Sequence, residues 1–157
     1  MKKLLIIVLF PFFFLGCTYK SILPQKTQAL IPSDANKVIL LSEIASDSLY
    51  NLVFDVLFKN GFRILYSDRQ LGYLYTDGKL IKETILMRMD IKISEEKGLA
   101  KLVGSADWSV DPITYSDTKP LWKKASKSGD GVPDFVYDNM VLILEEIPRK
   151  EIYFVKE

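Results

Sequence analysis

Residues 84–108 read TILMRMDIKISEEKGLAKLVGSADW, and this stretch decides the fold. Ile85, Met87, Met89, Ile91 and Ile93 recur at every second position, with Arg88, Asp90 and Lys92 between them and Leu86 as the exception. A period of two is the repeat of a strand with one buried face and one wet face. Glu95-Glu96-Lys97-Gly98 interrupts the pattern as a turn. Ala100, Leu102, Gly104, Ala106 and Trp108 then resume it in one phase, against Lys101, Ser105 and Asp107, with Val103 breaking the second set. Two such runs around a glycine-bearing turn predict an antiparallel hairpin.

Working outward, Val38–Leu41 is a short apolar run that predicts a buried strand. Leu49, Leu52, Val53, Val56 and Leu57 follow the spacing of one helical face, with Ser46-Asp47-Ser48 as candidate caps and Asn60-Gly61 as the stop. Tyr50, Phe54 and Phe58 form a second apolar row on the same helix, which predicts cover on more than one side. Residues 62–78, FRILYSDRQLGYLYTDG, predict two short strands, with Phe62, Ile64 and Tyr66 on one face, and a turn at Asp77-Gly78. Residues 111–131 carry Pro112, Pro120, Gly129 and Gly131 without a period, and predict a long irregular connection. Pro133 and Asp134 open a second helix with the stripe Val136, Met140, Ile143, Leu144 and Ile147, stopped by Pro148. Residues 151–157, EIYFVKE, predict a last short strand.

The order is β-α-β-β-β-β-α with an optional final β. Consecutive strands joined by tight turns give an antiparallel sheet of about four to six strands. Its apolar face has only the two helices to cover it, so the expected fold is a two-layer α+β sandwich. The Asp107, Asp111, Asp117, Asp130 and Asp134 carboxylates cluster in sequence around the long connection. They are the only plentiful catalytic material, and the bland reading is solvated loop acids.

The amino-terminal end reads differently. Met1-Lys2-Lys3 precedes a wholly apolar Leu4–Leu15, which as a helix reaches about 18 Å, short of a bilayer core. A positive end, a short apolar core and a small residue at its edge describe a secretory signal peptide over residues 1–16. Phe14-Leu15-Gly16-Cys17 resembles the lipobox of bacterial lipoproteins. That resemblance implies removal of the leader, a diacylglycerol on the Cys17 thiol, and acylation of the new amine. One acyl chain holds weakly and two or more hold stably. Thr18, rather than the Asp that retains such proteins in the inner membrane, implies the periplasmic face of the outer membrane. Residues 17–36 are expected to be a lipidated tether, with an ordered edge segment packed by Leu23, Leu30 and Ile31 as the alternative, and residues 37–157 a single periplasmic domain.

Taking Lys2 and Lys3 from the 21 cations leaves 19 against 20 acids, a net charge of −1. That balance argues against a nucleic-acid partner. The chain has no histidine and one cysteine, so the commonest metal ligand, the neutral-pH proton shuttle and a free thiolate are all missing. No cofactor or metal is expected, and no nucleophile motif is present.

The element order from LYNLVFDVLFKNGFRILYSDRQLGYLYTD, with Asp68-x-x-x-Gly72 between its strands, resembles small envelope lipoproteins with a BamC-like helix-grip domain. The resemblance implies a non-catalytic role in the cell envelope, and carries over no site residues. From the residues themselves, Trp122 with Tyr115, Lys123 and Lys124 is the candidate contact for a protein, an anionic lipid head group or a glycan, since Trp and Tyr bury much area at small entropic cost. The alternative for Trp122 is a lid folded back over the sheet. The alternative function is a carrier or sensor of an apolar ligand held between helix and sheet.

Overall fold

The computed structural model describes residues 30–110, 119–128 and 131–156. Its strands are β1 (Lys37–Ser42), β2 (Ile64–Asp68), β3 (Tyr73–Thr76), β4 (Lys79–Lys82), β5 (Ile85–Glu96), β6 (Leu99–Val110), β7 (Lys123–Lys124) and β8 (Glu151–Val155). The helices are α1 (Ser46–Lys59) and α2 (Val132–Glu145). The two helices and the antiparallel sheet form an α+β sandwich, with eight strands where four to six were expected.

The β5–β6 hairpin is its axis, paired without interruption from Ile85↔Val110 to Glu96↔Leu99. The sheet runs β2-β3-β5-β6-β1-β8, while β4 pairs with β5 and β7 pairs with β6. β3 and β4 therefore occupy successive stretches of one side of β5, and β1 and β7 of one side of β6. The two added strands were not expected because neither carries a pattern of its own; each exists only through its partner.

The alternation read from sequence holds. Met87, Met89, Ile91, Leu102, Val38 and Leu40 are fully buried on the helix-covered face. Leu49, Val53 and Leu57 of α1 and Val136, Met140 and Leu144 of α2 close the core over them. At Gly104 the approach is close enough that an added Cβ would lie 2.7 Å from Leu144 Cδ1, so α2 rests directly on the sheet. Burying large aliphatic side chains in this way contributes about 1.5–3 kcal/mol each.

Three local expectations change. Residue 45 is the N-cap of α1 and makes no side-chain cap bond; Ser46 Oγ instead donates to Glu95 Oε1 at 3.3 Å. Of the second apolar row only Tyr50 is buried. Phe54 and Phe58 are exposed, Phe58 at 72 %, because the buried face of α1 runs along Leu49, Tyr50, Val53, Val56 and Leu57. A register shift between Ile64 and Tyr66 inserts an extra residue into β2. Ile64 packs on the core, while Tyr66, paired with Tyr75, emerges on the opposite face.

The domain extends a few residues before β1. Ala35 is buried, Asp34 N donates to the Lys127 carbonyl at 2.6 Å, and Lys127 N donates to the Ala35 carbonyl at 2.7 Å. Among the described residues, no helix is long and apolar enough to cross a membrane.

Candidate binding surface

The sheet face turned away from the helices has no described element over it, apart from Trp122. Period two brings Arg88 and Asp90 of β5, Asp107 of β6, and Tyr73 and Tyr75 of β3 to this side. Arg88 and Asp107 are directly cross-strand. Arg88 donates from Nε and Nη2 to Asp107 Oδ2 at 3.0 and 2.9 Å, which fixes the guanidinium plane. The pair is partly exposed, so its salt bridge alone contributes little.

Fixing that plane matters more than the charge pairing. The Arg88 Cζ lies 4.3 Å from the Trp122 ring centroid and 5.2 Å from that of Tyr75. A cation against an aromatic face contributes about 0.5–2 kcal/mol according to its desolvation. Trp122 reaches this position across Gly78, where an added Cβ would sit 2.8 Å from its Cη2. A Cβ at residue 78 would force the indole to shift.

Beyond Tyr75 the aromatic row continues. Tyr73 Oη donates to Asp90 Oδ2 at 2.8 Å, and the Tyr66 and Tyr73 rings lie 5.8 Å apart at 54°. Burial first, and then the Asp90 carboxylate, push the Tyr73 phenol up to about 12. It is therefore a neutral donor at physiological pH. Tyr75 is also raised, mainly by burial. Across the sheet, near the β5–β6 turn, the same face becomes a groove of about 420 Å³ lined by Ile39, Leu41, Leu99 and Tyr153 together with charged Glu96, Lys97, Lys101 and Glu151.

The structure places the sequence-predicted residues as follows. Trp122 is half-buried and folded back on the sheet, the arrangement read as its alternative. Lys123 and Lys124 are exposed and form β7 against Trp108 and Asp107. Lys123 Nζ stands 5.6 Å from the Trp108 ring, and Trp108 packs on the core as expected from its strand phase. Its indole nitrogen is buried and has no hydrogen-bond partner among the described residues. Tyr115 and Cys17 lie outside the described residues, as do Asp111, Asp117 and Asp130.

Of the remaining acids, Asp107 is held by Arg88. Asp134 and Asp138 take the Lys127 ammonium at 3.0 and 2.8 Å. No group of three metal-ligating side chains occurs among the described residues. Sequence reasoning missed Arg88, Tyr73, Tyr75 and Gly78. For Arg88, Tyr73 and Tyr75 the signal was the polar phase of two strands, legible only once β3 is known to pair with β5.

No protein-family model matches this sequence, and no curated protein is similar to it at a significant level.

Proposed function

We propose that this chain is a lipid-anchored bacterial envelope protein that works without catalysis, by binding another envelope protein on the open sheet face. The observation that carries this reading is the aromatic row Trp122–Tyr75–Tyr73–Tyr66, organised around one clamped arginine. Such a face offers rigid rings and preset donors at small entropic cost, which is what contact surfaces use. The lipobox-like Phe14–Cys17 supports a membrane address, with the periplasmic side of the outer membrane proposed. The likeness to BamC-like domains points to the same non-catalytic role.

The carrier alternative needs space between helix and sheet. The contact of Leu144 with Gly104 counts against it, at least beneath α2.

Two measurements test the reading. Cys17→Ala should release the protein from membranes, and unchanged fractionation would refute the lipid. Crosslinking and pull-down from membranes should recover a specific partner that Trp122→Ala loses. Recovery of the same proteins by both forms would remove the open face as the contact.

A further inference from the structure

β7 and β1 lie along the same side of β6, two rungs apart: Lys37 faces Ser105, while Lys124 faces Asp107. The amino-terminal segment joins the domain in that interval, clasped to Lys127 through Asp34 and Ala35. The described chain therefore meets the domain at Lys127, three residues beyond β7. This segment has an unusual surface. Lys119, Lys123 and Lys124 are exposed, and Leu121 is 75 % exposed at the tip. Trp122 behind them is locked against Gly78 and Arg88, so the tip is backed by a fixed ring. The described acid directly opposite this segment is Asp107, cross-strand from Lys124 and already bonded by Arg88.

We propose that the Lys119–Lys124 surface is a second, reversible membrane contact, with Leu121 entering the interface of an anionic leaflet and the lysines meeting its phosphates. The inference rests on the lipid-anchor reading. With an acylated Cys17, the 12 residues between it and Leu30 can span at most about 40 Å, and Asp34 and Ala35 bond Lys127, in the segment that carries these lysines. Such an anchor would keep this end of the sheet within reach of the bilayer. An apolar tip flanked by cations is the composition that interfacial segments use. The contact would turn the groove at Leu99 and Tyr153, toward the other end of β6, away from the lipid.

The test uses the mature chain, residues 17–157, with Cys17→Ser, which retains every described element. Its binding is measured to phosphatidylcholine vesicles with and without phosphatidylglycerol at roughly one lipid in three. Binding is expected only to the anionic vesicles, falling as salt is raised. Lys119→Gln and Lys123→Gln should each weaken it about fivefold. Leu121→Asp should abolish it, with thermal unfolding unchanged because the side chain is exposed. Equal binding to both vesicle types, no binding to either, or indifference to all three substitutions would overturn the proposal. Mass analysis of Cys17 in the native protein is independent of this result. An unmodified thiol there removes the anchor, and vesicle binding alone decides the second contact.

Discussion

Lys127→Met should be among the most damaging single substitutions in this domain. The Nζ of Lys127 lies 3.0 Å from Asp134 Oδ2 and 2.8 Å from Asp138 Oδ1, and those acids are 1 % and 0 % exposed. They sit at i and i+4 of α2, on one face. Removing the ammonium leaves two like charges close together where water cannot reach them. Breaking a buried pair in this way costs about 3–5 kcal/mol. A domain of this size has roughly 5–15 kcal/mol in total. Each kcal/mol lowers Tm by about 3–5 °C at this length, so the melting point should drop by roughly 10–20 °C.

Charge and packing separate in a second background. With Asp134→Asn and Asp138→Asn already in place, Lys127→Met removes no counter-ion and should cost about 1 kcal/mol or less. Urea unfolding followed by far-ultraviolet circular dichroism gives all four stabilities. A loss below about 1 kcal/mol in the native background, or the same loss in both, would refute the reasoning. The stake extends beyond α2, since the backbone of Lys127 also holds Asp34 and Ala35, where the amino-terminal segment meets the domain.

Three further outcomes follow from the geometry. Tyr73 is raised to about 12, and Tyr137 is raised further, mainly by burial. A phenol whose folded value exceeds its unfolded value of about 10 contributes stability that is complete below pH ~10 and lost as pH rises toward 12. Tyrosinate absorbance should show late-titrating phenols, Tyr73 and Tyr137 foremost, and stability falling over that window; ordinary titration of every tyrosine would contradict this. Gly72→Ala, at φ 62° with its Cβ 2.1 Å from the Ile93 carbonyl oxygen, should destabilise by more than about 2 kcal/mol. Gly98→Ala, also at positive φ but with open space around it, should cost only about 1–2 kcal/mol, and equal losses at the two sites would argue that the clash is absent. Arg88→Ala should leave the fold intact within about 2 kcal/mol while red-shifting tryptophan emission, as Trp122 loses its stacking partner; unchanged emission would mean the indole is held by Gly78 alone.

Much of the fold was legible because the hairpin 85–108 states its period openly. Burial of alternate residues there is settled by side-chain type alone. Both helices were equally plain, from Leu49 to Leu57 and from Val136 to Ile147. What escaped depends on partners distant in sequence. Lys123-Lys124 becomes a strand only because Trp108 and Asp107 leave an open rung beyond β1. Asp138 is charged yet fully buried because Lys127, eleven residues earlier, folds back onto it. Tyr66 changes face because one residue bulges, and periodicity averaged over a short strand cannot register that. The candidate surface was half legible: Trp122 was singled out by type, but its footing on Arg88 and Gly78 required the β3–β5 and β5–β6 registers. Phe54 and Phe58 show the reverse case, an apolar row whose burial is not dictated by its spacing.

The central claim is that this protein works by contact through its open sheet face. Photo-crosslinking in living cells tests it directly, with a photoreactive residue placed at Tyr66 or Tyr75 on the open face and at Ser48 or Asp55 on the exposed side of α1. The account predicts one discrete adduct with an envelope protein from the sheet positions, none from the helix positions, and loss of that adduct when Trp122→Ala is added. Adducts of equal yield from both sides, or from neither, would contradict it.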